Sequence, residues 1–316
     1  MPTFSFRASD EVAVHVHQWR GNPPARAVLM LIHGMSEHAG RYAEFGEALA
    51  ARGIDLYAPD LRGHGVTGTR QGVLGHFAAH NGWHRVLADL RELEQLIRER
   101  HPNTPLLLFG HSMGSYLAQA YLMHHGDGFA GAVLSGSNYQ PVALYRLGQQ
   151  VARLECWRQG PTGRSAVLEA LTFGSFNRAF RPARTHHDWL SRDPAEVDAY
   201  LADPLCGIRC TNQLWVDLFG GLQEITPVAN LARIPHDLPL LVIGGERDPV
   251  SAGRRQLDLA DALRRAGLLQ INTQLYPDAR HELLHETHRA EVIAYLLDWL
   301  EAALATQQSR HAKEIT

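Results

Sequence analysis

Apolar residues along this chain follow two alternating rhythms. Residues 4–19 alternate apolar and polar around Ser9-Asp10, which predicts a hairpin at one sheet edge. The pattern then changes. Ala27 to Ile32 is apolar without a break, Tyr42 to Ala51 reads as helix, Ile54 to Ala58 is again continuous, and Trp83, Val86, Leu87, Leu90, Leu93 and Ile97 form a helical stripe. Pro105 to Phe109, Ala130 to Leu134 and Leu238 to Ile243 repeat the continuous pattern. Strands apolar throughout are covered on both faces, so these segments predict a mostly parallel sheet flanked by helices. The chain ends in a predicted helix near Arg254 to Ala266, a strand over Leu269 to Tyr276, a helix around Ala290 to Leu304 and a frayed polar segment.

Between the strands ending at Leu134 and beginning at Leu238 lie about 100 residues with no strand pattern, far beyond an ordinary connection. Leu144, Leu147, Val151 and Leu154 keep helical spacing there, as do Trp215, Leu218, Phe219 and Leu222. The segment is expected to be a helical cap whose apolar faces mostly pack against the rest of the fold, a minority of them lining an apolar pocket. The chain then divides into a first core part (1–137), a cap insertion (138–236), a second core part (237–306) and a polar tail (307–316).

The run ending at Phe109 leads into Gly110-His111-Ser112-Met113-Gly114, after which Tyr116, Leu117, Ala120 and Tyr121 recur at helical spacing. Strand, serine, helix is the order of a nucleophile elbow: a sharp turn exposes the hydroxyl at a helix N-terminus, and small residues on either side tolerate the crowding. A serine needs an imidazole to accept its proton, and the imidazole needs a carboxylate to fix its tautomer. Asp248 and His281 follow the predicted strands Leu238 to Ile243 and Leu269 to Tyr276, in the chain order Ser, Asp, His. Two amides must face the oxyanion. Met113 supplies the one after the serine, and Met35, in His33-Gly34-Met35-Ser36, is expected to supply the other.

Composition narrows the field. With 45% hydrophobic residues, 20% charged and a net charge of -3, the chain reads as a soluble globular protein without an electrostatic footprint for nucleic acid. Lysine occurs once, at Lys313, which removes Schiff-base and Walker-type chemistry. Cys156, Cys206 and Cys210 are too few and too odd in number for a disulfide framework, so free thiols and a reducing compartment are expected. No apolar signal region opens the chain and no stretch approaches the roughly 20 apolar residues of a spanning helix, so a cytoplasmic location is expected.

The run His33-Gly34-Met35-Ser36-Glu37-His38-Ala39-Gly40-Arg41-Tyr42, then Asp60-Leu61-Arg62-Gly63-His64-Gly65, the Ser112 elbow and the Asp248 and His281 loops together resemble the monoacylglycerol lipase and lysophospholipase branch of the α/β-hydrolases. That resemblance spans nearly the whole chain. It implies an α/β-hydrolase fold and a serine esterase of lipid monoesters, free of metal and other cofactors. It also implies a small lipid-like substrate, transient membrane-surface contact, no obligate protein partner, and Glu37 and Arg41 as candidates for holding a polar head group or forming a structural salt bridge. Two positions depart from the branch. A second histidine three places after the catalytic one is replaced by Leu284, with His285 one place later, which puts glycerol recognition in question; and Ser36 stands where glycine is common, which is expected to alter that turn.

Other readings stay open at this stage. A thioesterase, an amidase or a small-ester hydrolase would use the same machinery, and a hydrolase fold can serve as a binding module without turnover. His281-Glu282-Leu283-Leu284-His285 matches a zinc-protease motif, which requires both histidines on one face of a helix and leaves the elbow and both loops unexplained.

Overall fold

Eight strands form a single sheet in the order β1-β2-β4-β3-β5-β6-β7-β8. The computed structural model describes residues 2–314, with the side chains of 308–314 outside that description. The strands are β1 (Thr3–Arg7), β2 (Ala13–Trp19), β3 (Ala27–Ile32), β4 (Ile54–Pro59), β5 (Leu106–His111), β6 (Phe129–Ser135), β7 (Leu240–Gly245) and β8 (Ile271–Tyr276). β2 runs antiparallel to both its neighbours, with Phe4 of β1 opposite Val16 in the predicted edge hairpin and Val16 opposite Pro59 of β4. From β4 to β8 every pairing is parallel.

The unbroken apolar runs are unbroken because both faces are covered. Val28, Met30 and Ile32 of β3 join one core, with α3 (Gly82–Arg100), α4 (Met113–His125) and α11 (Arg255–Arg265); Leu29 and Leu31 join the other, with α1 (Ala43–Ala51) and α12 (Arg289–Glu314). Each such side chain contributes about 1.5–3 kcal/mol on burial. A short α2 (Gly65–Gln71) follows β4.

Between β6 and β7 the described chain is helical: α5 (Val142–Gln159), α6 (Ala166–Leu171), α7 (Phe173–Phe176), α8 (Pro194–Ala202), α9 (Asn212–Ile225) and α10 (Val228–Leu231). Leu214, Trp215, Leu218 and Leu222 of α9 are buried in the main core. The α5 stripe departs from expectation. Leu144, Leu147 and Leu154 face solvent, with Leu147 63% and Trp157 83% exposed. What α5 buries instead is Tyr145, Ala152 and Glu155, and a Cβ on Gly148 would fall 2.7 Å from the Phe219 ring, so close helix packing has selected small residues on the inner face.

Two smaller expectations also shift. β7 begins at Leu240 rather than Leu238, after Pro239, which has no N–H to give a ladder. The final helix continues through the Ala, Gln, Arg and Glu positions to Glu314 rather than fraying at Gln307, because those residues favour helix; Ile315 and Thr316 lie outside the described residues. No described helix is long and apolar enough to cross a membrane.

Candidate active site

β5 ends at His111 and α4 begins at Met113, so Ser112 forms the whole turn. Its backbone sits at φ 50 and ψ -119, an unfavourable region for a residue with a side chain. Hydrogen bonds hold it there: Ser112 N–H donates to the Ser135 carbonyl at 2.8 Å, and the Ser112 carbonyl accepts from Ser115 N–H at 2.8 Å and Ser115 Oγ at 2.6 Å. Gly114 is required for the same reason. A Cβ there would lie 2.0 Å from the Ile32 carbonyl oxygen, because α4 starts directly against the end of β3.

Asp248 and His281 follow β7 and β8 and meet. Nδ1–H of His281 donates to Asp248 Oδ1 at 3.0 Å, and both side chains are buried. The same oxygen accepts Val250 N–H at 2.9 Å, which fixes the carboxylate. Burial would push the His281 pKa down, but Asp248 and then Glu282 outweigh it and leave it above the ordinary 6.5. Ser112 and His281 line one cavity of about 240 Å³, together with Met35, Met113, Phe173, Trp189, Trp215 and Phe219. Among the described residues no acceptor takes the Met35 or Met113 amide. Gly34 sits beside the serine: a Cβ on it would approach Ser112 Cβ to 3.3 Å.

Ser36 takes the left-handed backbone that glycine favours, at φ 62, and compensates with contacts glycine would lack. Its hydroxyl donates to the Ile208 carbonyl at 2.7 Å. Its own carbonyl accepts from Tyr200 OH and Gly207 N–H, both at 2.9 Å, so the turn before α1 is tied to the helical segment between β6 and β7.

Glu37 and Arg41 are spent on internal contacts. Glu37 Oε1 accepts Gly34 N–H at 2.6 Å and Tyr42 OH at 2.9 Å, while Arg41 reaches Glu37 Oε2 at 2.9 Å and both oxygens of Glu282 at 2.7 Å. Glu37 touches the cavity and Arg41 does not. This network braces the Met35 turn and the His281 loop against each other, the salt-bridge alternative rather than a free head-group site. Sequence reasoning missed Glu282 as the partner of Arg41, and nothing in local spacing links positions 241 residues apart.

The helical segment between β6 and β7 also grips the His281 loop. Arg280 donates to the carbonyls of Asp188 and Ser191, Glu282 N–H to Leu190, and Ser191 Oγ to His285. The Trp189 ring lies 5.1 Å from that of His281. Leu283–His285 is a single 3₁₀ turn, and His285 Nε2 faces the Arg41 carbonyl at 3.1 Å, so this stretch lacks the helical spacing of the zinc motif. Cys206 and Cys210 are buried free thiols, and Cys156 is half-buried.

A parallel sheet covered on both faces, with a strained serine at the end of β5 and an Asp–His pair beyond β7 and β8, defines an α/β-hydrolase. The chain belongs to the Hydrolase_4 family, serine aminopeptidase S33, whose model matches residues 23–288. It is 27% identical over 305 residues to a monoacylglycerol lipase of Mycolicibacterium smegmatis, covering 95% of this chain and 97% of the relative. Over 282 residues it is 25% identical to the monoglyceride lipase of Mus musculus, covering 85% and 84%. In structure it resembles a thermostable carboxyl esterase from Bacillus coagulans crystallised with glycerol, with a TM-score of 0.89, 23% identity and coverage of 96% and 98%.

Proposed function

We propose that this protein is a serine carboxylic-ester hydrolase that cleaves lipid monoesters, monoacylglycerols or lysophospholipids, through an acyl-enzyme on Ser112. The observation carrying the reading is that Ser112 and His281 line one largely apolar cavity, with His281 backed by the buried Asp248. In that mechanism His281 Nε2 takes the Ser112 proton as Oγ attacks the ester carbonyl, and Asp248 stabilises the resulting imidazolium. The Met35 and Met113 amides receive the oxyanion. His281 returns the proton to the departing alcohol, and water, deprotonated by the same imidazole, releases the fatty acid.

The family description raises peptide amides as a second reading. An aminopeptidase must hold a substrate ammonium on a free carboxylate, whereas Glu37 and Glu282, which line the cavity, are both paired with Arg41. Esters fit better. A cavity of about 240 Å³ is smaller than the usual range of roughly 300–1,000 Å³ for ligand pockets and suits one acyl chain of medium length rather than two. The lipase names of the relatives support a lipid ester. Leu147, Leu154 and Trp157, exposed on α5, favour transient contact with a lipid surface, and the free thiols fit a cytoplasmic setting.

The test pairs fluorophosphonate labelling of Ser112 with kcat/KM across C2 to C16 esters. Labelling at Ser112 with a maximum at medium chain length supports the reading. A maximum at C2 with steady decline assigns the cavity to small esters, and absence of labelling removes the serine mechanism.

A further inference from the structure

Away from the cavity, β2 and the end of β4 bring together three buried side chains with metal-ligating atoms: His15, His17 and Asp60, whose nearest donor atoms all lie within 4.8 Å of one another. His15 and His17 are two residues apart on one strand and so share a face, and Asp60 is pinned beside them by its N–H to the His15 carbonyl at 2.8 Å.

The feature that needs a cause is His17. Both its ring nitrogens are buried and neither has a hydrogen-bond partner, a costly state for a polar ring. Nε2 faces Asp60 Oδ1 at 3.4 Å without hydrogen-bond geometry. Bonds of about 2.1 Å at tetrahedral angles place neighbouring ligands about 3.4 Å apart, so this separation suits one edge of a metal's coordination sphere.

The surroundings fit ligands rather than a plain ion pair. Ser5 Oγ lies 3.4 Å from His15 Nδ1, leaving Nε2 to coordinate. Asp60 is oriented by the Ala39 amide at 3.0 Å on Oδ1 and the Val66 amide at 2.8 Å on Oδ2, and each oxygen keeps a lone pair. We propose that His15, His17 and Asp60 form a structural site for a divalent transition metal, Zn²⁺ by its N₂O donor set, with water completing four-coordination. The ion would clip the β1–β2 edge hairpin to the end of β4 and, through Asp60, to the turn at Ala39. None of the three ligands lines the Ser112 cavity, so the ion takes no part in ester cleavage.

A second group, His38, Asp203 and Cys206, is the competitor for any bound ion, but His38 Nε2 is already paired with Asp203 at 2.9 Å. The experiment uses the full-length protein stripped by chelator and dialysed. Zn²⁺ is titrated in competition with a chromophoric chelator, Tm is followed with and without Zn²⁺, and the Co²⁺ form is examined by absorption. The expected result is one equivalent of Zn²⁺, a Tm rise of a few degrees, and Co²⁺ ligand-field bands without thiolate charge transfer. Both binding and the Tm rise should disappear in His17→Gln and in His15→Asn, while Asp60 is left intact because it holds two amides. Unaltered binding in both variants, absence of saturable binding, or a thiolate–Co²⁺ band marking Cys206 would each overturn the proposal.

Discussion

The turn at Ser112 and the helix α5 are equally suggestive as patterns, yet the strand-to-helix turn at Ser112 takes the local structure its pattern predicts while α5 buries a different face from the one its leucines mark. At Ser112 the inference rests on steric necessity: a strand must become a helix within one residue, against the end of β3, and few residues fit that space. On α5 it rested on hydrophobic spacing, which records where apolar residues lie but not which side the protein covers. There the inner face is Tyr145, Gly148 and Ala152, and the leucine stripe points outward. Geometry that admits one solution reads through from sequence; an apolar surface can equally be core or contact face.

The contrast can be broken at its strongest point first. Ser112→Ala should lower kcat by roughly 10⁶, as loss of a catalytic serine does elsewhere, with an unchanged circular dichroism spectrum. Near-normal turnover would refute the elbow assignment. Next, Asp248→Asn should cost about 10⁴ in kcat, whereas Asp278→Asn, at an exposed turn, should leave kcat within twofold.

The pH profile sharpens the same point. The base acts when neutral, so activity should fall as pH drops through the raised His281 pKa, with the acid limb above pH 6.5 in the native enzyme. Removing the Asp248 charge should move that limb to lower pH, and a limb that stays in place in Asp248→Asn would deny the coupling.

Gly114→Ala tests steric necessity itself. Its new methyl group meets the Ile32 carbonyl, so the variant should lose about 1–3 kcal/mol and melt several degrees lower by calorimetry. A Tm equal to wild type would mean that the turn is less constrained than its contacts imply. The smallest effect belongs to α5. Leu147→Ser with Leu154→Ser should leave hydrolysis of a soluble short-chain ester unchanged and reduce turnover of vesicle-borne monoacylglycerol about tenfold. Equal losses on both substrates would make the stripe structural.

Much of the fold was legible because β3, β4, β5, β6 and β7 are apolar at nearly every position, which only a doubly covered sheet explains. The positions of Asp248 and His281 beyond consecutive strands were legible for a related reason: parallel strands deliver their following loops to one edge. The roles of Glu37 and Arg41 were not. The resemblance leaves them between a head-group site and a salt bridge, while the partner that defines them, Glu282, arrives from the far end of the chain. The grip around Trp189 was equally hidden, since all four of the polar contacts there end on backbone carbonyls, which carry no side-chain signature.

The Ser36 turn bears on how such enzymes can be recombined. Because Ser36 is held by Tyr200, Gly207 and Ile208, the turn carrying Met35 is anchored by residues of the helical segment between β6 and β7. A chimera that exchanges the helical segment between β6 and β7 for that of a relative would therefore also replace the moorings of the Met35 turn, and substrate range and turnover would not be transplanted separately. Grafts that retain residues 200–208 should keep the native rate whatever pocket lies above them.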